Sequence, residues 1–174
     1  MSGNFIRQPR APLVILAVLL AATAGMLAVE AARLPEIVAV HFGGGGEPDG
    51  WVERSAHLLC SAFLGFVLPL VPAGSMVLAL RLPVKFINLP NKAHWLAPER
   101  RAETQRWMIR HMFWLGCLLA CLHLFAQGMI LAANAQTPPR LAGSLVLGLT
   151  GGFLAAAATW VMVFWRRFAR VPQG

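Results

Sequence analysis

The sequence predicts an all-α integral membrane protein: a four-helix bundle with a short outer loop and a basic cytoplasmic interfacial helix. Three observations carry that reading. Of the 174 residues, 57% are apolar and 13% charged, with a mean hydropathy of +0.63; a soluble domain is about 45–50% apolar and about 25% charged. Charged residues are excluded from four stretches, 11–29, 55–80, 111–139 and 141–165, each close to or above the ~20 residues that cross a ~30 Å hydrocarbon core. What remains is two loops and short tails, too little for a second domain with its own core. Residues 1–174 thus read as one four-span domain, with spans at about 11–30, 56–80, 109–133 and 141–165, an outer loop at 34–54 and an inner loop at 81–108.

Orientation follows from the basic residues, because Lys and Arg in short loops stay on the cytoplasmic side. Arg7 and Arg10 precede the first span. Arg81, Lys85, Lys92, Arg100, Arg101, Arg106 and Arg110 lie between the second and third, and Arg166, Arg167 and Arg170 follow the fourth. The other side holds only Arg33, Arg54 and Arg140, while Glu36, Glu47, Asp49 and Glu53 make its first loop acidic. Both termini are therefore expected in the cytoplasm. This asymmetry accounts for the formal charge of +8, with anionic lipid as the cytoplasmic partner at ~1 kcal/mol per juxtamembrane Lys or Arg. Nucleic acid is not expected as a partner, since no recognition motif accompanies the charge.

Span one repeats small residues at Ala17, Ala21 and Gly25. Ala22-Thr23-Ala24 resembles a signal-peptide cleavage site, but the apolar stretch is longer than a signal-peptide core, so it is read as a retained span. Span two is interrupted by Pro69 and Pro72, which remove hydrogen bonds to the carbonyls of Gly65 and Leu68. Freed carbonyls must face protein or water rather than lipid. His123, at about that depth on span three, or Gln127 one turn on, is expected to donate to them; a proton or ligand site is the alternative. Cys117 and Cys121 read as packing residues, since no further metal ligand converges on them. Their distance in depth argues against His57 and His123 as a haem pair, and no cofactor is expected. Span four steps through Ser144, Gly148, Gly152 and Ala156, small residues that let membrane helices approach closely. Packing within the bundle is the expected use of Gly148 and Gly152, homodimerisation the alternative.

In the outer loop, residues 37–42 suit a short extended piece, being β-branched and apolar. Gly43 to Gly46 read as a flexible or left-handed stretch, Glu47-Pro48-Asp49-Gly50 as a turn with Pro at its second position, and Trp51 as an interfacial anchor. His41, Glu47 and Asp49 match no zinc, calcium or phosphate-loop spacing. They are candidates for an interaction surface together with Trp51. In the inner loop, Pro98 suits a first helical turn and Glu99 its positive end. Trp95 and Trp107 read as anchors, and the segment as a basic amphipathic helix lying at the surface before it turns into span three.

The outer stretch His41-Phe42, three further residues, then Gly46-Glu47-Pro48-Asp49-Gly50-Trp51 resembles the hallmark of a bacterial membrane-protein family of unknown function. That domain forms the N-terminal part of SdpI-type bacteriocin immunity proteins. The inner stretch with Asn88, Pro90 and Asn91, then Trp95, Glu99, Arg100 and Arg101, is similar to a segment common in those relatives. The resemblance implies the cytoplasmic (inner) membrane of a bacterium and a role in immunity or signalling.

The expected function is non-enzymatic, since neither side of the membrane carries a nucleophile–base pair, a metal-ligand set or a cofactor fingerprint. Three roles are open. The chain could sense or neutralise an extracytoplasmic toxin or peptide through its acidic outer loop. It could be an accessory subunit of a larger membrane complex. It could be a small transporter built on the broken second span and His123.

Overall fold

The computed structural model describes residues 11–171, so Arg7, Arg10 and the orientation expected for both chain ends lie outside the described residues. The elements are α1 (Ala11–Arg33), a hairpin of β1 (Ile37–Phe42) and β2 (Pro48–Glu53), α2 (Arg54–Val67), α3 (Val71–Ala79), a 3-10 turn (Val84–Phe86), α4 (Lys92–Trp95), α5 (Pro98–Asn134) and α6 (Gly143–Ala169). Three helices, α1, α5 and α6, are long and apolar enough to cross a membrane; α2 and α3 qualify together as a fourth span bent by 43°. The chain is thus a membrane protein by the length and composition of its helices.

The bend lies where Pro69 and Pro72 stand, because each ring removes a backbone donor and crowds the preceding turn. Its consequence is a close approach. The Pro69 carbonyl points at Gly116 on α5, where an added Cβ would sit 2.3 Å from that oxygen. Only glycine leaves that room.

Two expectations about architecture need correction. The chain is not all-α, because residues 37–42 find an antiparallel partner in Pro48–Glu53, with Val38 opposite Val52 and Ala39 opposite Trp51. Nor do four helices share one core. Helices α1, α2, α3 and α5 pack together, whereas α6 packs chiefly on α5. The apolar window of α6 is 0% buried, against 28% for that of α5.

A third correction concerns the inner loop. Residues from Pro98 onward do not form a separate interfacial helix; they continue without a break into span three as the 37-residue α5. At 1.5 Å per residue that is about 55 Å, well beyond a ~30 Å hydrocarbon core. After Pro98, which sits in the first turn, no residue through Asn134 is a proline or part of a helix-breaking pair, so nothing turns the chain.

Candidate functional site

The hairpin is held at three points. Asn134, at the end of α5, accepts from the Ala39 amide and donates to the Ala39 carbonyl, both at 2.9 Å, like a third strand one residue long. Arg54, at the start of α2, donates from Nη1 to the Leu34 carbonyl at 2.8 Å, and its amide donates to Glu36. The turn is the third point. It lies at Gly43–Glu47, with the Gly43 amide bonded to the Glu47 carbonyl and the Gly46 amide to that of Gly43. The glycine run therefore forms the hydrogen-bonded turn and supplies its left-handed residue, as the sequence allowed, and Glu47-Pro48-Asp49-Gly50 is not the turn. Gly46 takes φ +86°, and the Leu141 amide donates to its carbonyl. Across the strands, Gly50 faces His41 so closely that a Cβ would sit 2.8 Å from the His41 Cβ.

This frame places the predicted outer residues on an exposed surface. His41 pairs with Asp49, and Glu47 with Arg140 at 2.6 Å. Trp51 is 48% exposed beside them, and Glu36 and Glu53 are exposed at the base of the hairpin.

Below the hairpin, α1, α2 and α5 enclose a column of polar side chains. Glu30 of α1 is 0% exposed, and His57 of α2 lies with Nε2 3.6 Å from Glu30 Oε1. Both Glu30 oxygens, His57 Nε2 and Gln127 Oε1 are buried without a hydrogen-bond partner among the described residues. One turn along α2, Ser61 Oγ is 3.4 Å from His123 Nε2. One turn further, Gly65 leaves the space into which the His123 ring and the Thr23 methyl fit; a Cβ there would lie 2.7 and 2.6 Å from them. Among the described residues no group of three His, Cys, Asp or Glu side chains is arranged to hold a metal ion.

His123 therefore does not serve the carbonyls freed by the prolines, as the sequence suggested. It points at Ser61 because Gly65 admits its ring there, while Gln127 is buried with its oxygen unpaired. His57 and His123 do differ in depth by about a turn, as the sequence indicates, because it is Ser61, one turn along α2 from His57, that meets His123. Glu30 was legible only as a charge at the edge of span one. An acidic residue one turn before a helix end, facing a histidine on the next helix, is a signal that counting span lengths passes over.

The inner motif has a different use. Asn91, in the left-handed region at φ 51°, donates from Nδ2 to the carbonyls of Phe168 at 2.9 Å and Ala169 at 3.1 Å. Trp95 Nε1 donates to the same Phe168 carbonyl at 3.2 Å. These are the last carbonyls of α6, which have no partner within the helix. Thr104 closes the loop by donating to the Trp95 carbonyl at 2.8 Å, and the Arg167 guanidinium lies 4.8 Å over the Trp95 ring. Trp95, Leu89, Leu96, Met108 and the fully buried Phe168 form the core of this end. Asn88, Glu99 and Arg100 are exposed and Arg101 partly so; Arg100 Nη1 is 3.1 Å from His94 Nδ1, and Pro90 is half-buried. The motif is a clasp on the end of α6.

Gly148 and Gly152 pack against nothing. An added Cβ at either has no described atom within 4 Å. They border a groove of about 410 Å³ between α5 and α6 whose lining, including Leu118, Phe125, Leu145 and Phe153, is almost wholly apolar. The expectation that this stripe packs inside the bundle is overturned, because α6 meets α5 through Trp160, Phe164 and Phe168 near its other end.

No curated protein and no solved structure matches the chain. One family does match part of it. The matched segment runs from the middle of α1, through both strands, to Gly65 on α2, and so contains Thr23, Glu30, His57 and Ser61. Residues 18–65 match a family described as a domain of unknown function, DUF1648.

Proposed function

We propose that the chain is a non-enzymatic bacterial inner-membrane protein, related to SdpI-type immunity proteins, that senses or neutralises a cationic extracytoplasmic peptide at its hairpin. One observation carries this reading: the hairpin is fastened at Ala39, Leu34 and Gly46 while its carboxylates and Trp51 stay exposed. A surface held in place before contact loses less entropy on binding than a floppy loop, and its acidic character favours encounter with a cationic partner. In this reading both termini are cytoplasmic, the basic end of α5 rests against anionic lipid, and nucleic acid is not a partner. Cells producing the chain are expected to survive cationic bacteriocin peptides, and Glu47→Ala with Asp49→Ala to abolish that protection. Protection unchanged by the double substitution rejects the surface.

A second reading, an accessory subunit of a larger membrane complex, draws support from the open glycine face of α6. It predicts stoichiometric partners on purification of the tagged chain in mild detergent, and a solitary protein counts against it.

A further inference from the structure

We infer that Glu30 and His57 form a proton-binding centre, reached from the hairpin end and closed toward the other. Glu30 is completely buried, and neither its oxygens nor His57 Nε2 has a hydrogen-bond partner among the described residues, although Glu30 Oε1 and Nε2 face each other at 3.6 Å. A carboxylate beside a neutral imidazole leaves one net negative charge in a medium that solvates it poorly. One added proton makes the pair neutral overall. It can lie on the carboxyl oxygen and be donated to Nε2, or on Nε2 and be donated to the carboxylate; either form gives both groups the partner they lack.

The groups around the pair support this assignment. On α1, Arg33 is exposed three residues on. On α2, Arg54 is committed to the Leu34 carbonyl; on α5, His123 contacts Ser61. None of these is a cation paired with Glu30. At the base of the hairpin, Glu36, Ile37, Glu53, Arg54, Ser55 and Leu58 line a cleft of about 420 Å³. Its acidic rim adjoins the residue next to His57 and offers protons an entrance. Inward, one turn along α2 from His57, Ser61 meets His123, and beyond them lies the apolar layer of Leu16, Cys117 and Ala120. A proton that enters leaves by the same side, so the column stores a proton rather than conducting one. This inference stands independently of the peptide-binding reading.

The test uses the full chain in lipid nanodiscs and infrared difference spectra between pH 8 and pH 5. Glu30→Gln and His57→Gln are each expected to remove the same set of bands, because one proton belongs to both groups, whereas Glu47→Gln leaves that set in place. Unchanged spectra in Glu30→Gln, or separate bands lost in the two variants, overturn the assignment. The unmodified chain gives an independent check by ¹⁵N-histidine NMR. One imidazole is expected to change its shifts with pH while exchanging slowly with water; histidines that all exchange rapidly overturn a closed site. Vesicles bearing the protein should hold an imposed pH gradient as long as protein-free vesicles do, and faster collapse overturns the closed inner end.

Discussion

Glycines occur both where α1, α2 and α5 meet and along α6, yet they do opposite things. Gly65 and Gly116 are each filled by a specific neighbour: the His123 ring and Thr23 methyl in one case, the Pro69 carbonyl in the other. Gly148 and Gly152 on α6 have nothing described against them. The same small residue is thus a socket on one helix and bare surface on another. What distinguishes the two is the neighbour, a kinked or polar element that needs the space, and not the four-residue spacing. Lipid-facing helices gain nothing from hydrophobic exclusion, so a small-residue stripe buries itself only where a partner fits it.

The sharpest way to break this contrast is Gly116→Val. Its side chain would collide with backbone at the bend, and overpacking of that kind costs ~3 kcal/mol or more. Thermal unfolding in detergent should show a large drop in midpoint, and a near-native midpoint would mean that the bend at Pro69 and α5 do not meet as described. Asn134→Leu comes next. It strands the amide and carbonyl of the fully buried Ala39, for a loss of about 2–4 kcal/mol. Hydrogen exchange at Ala39 should accelerate at least tenfold while amides of α6 keep their protection.

Smaller effects probe the clasp and the rim. Asn91→Ala removes one of the two donors to the Phe168 carbonyl and the bond to Ala169, and should cost about 1 kcal/mol, visible as faster exchange or proteolysis confined to the last turn of α6. Arg140→Ala breaks a pair whose side chains are 61% and 66% exposed, so solvent screening leaves under about 0.5 kcal/mol. Its unfolding midpoint should match that of the unmodified chain. Gly148→Leu with Gly152→Leu should leave the stability of the isolated chain unchanged. A marked loss in that variant would show that the face is covered, by a second copy or another subunit.

Much of the plan was legible before any coordinates. Charge-free runs located the helices, the proline pair located the bend, and the β-branched run at Ile37–Phe42 announced an extended piece. The hairpin was missed because its second strand, Pro48–Glu53, contains Pro, Asp and Gly, residues that locally favour a turn; pairing with β1 overrode that preference. The polar column was missed for a related reason. Glu30, His57 and His123 belong to three helices, and which of them meet, Glu30 with His57 and His123 with Ser61, depends on how those helices pack side by side, which no one segment encodes.

Composition, charge distribution and proline placement determined that this chain forms membrane-length helices, roughly where their apolar parts lie, and where one breaks. Those properties depend on local propensity and on transfer into hydrocarbon, which act on each segment by itself. Only the tertiary structure decided which glycines are sockets, that Asn91 and Trp95 cap the end of α6, and that a buried glutamate meets a histidine beneath the hairpin. Each of these is a contact between segments distant in sequence, set by shape and by which polar atoms find partners once the helices have packed.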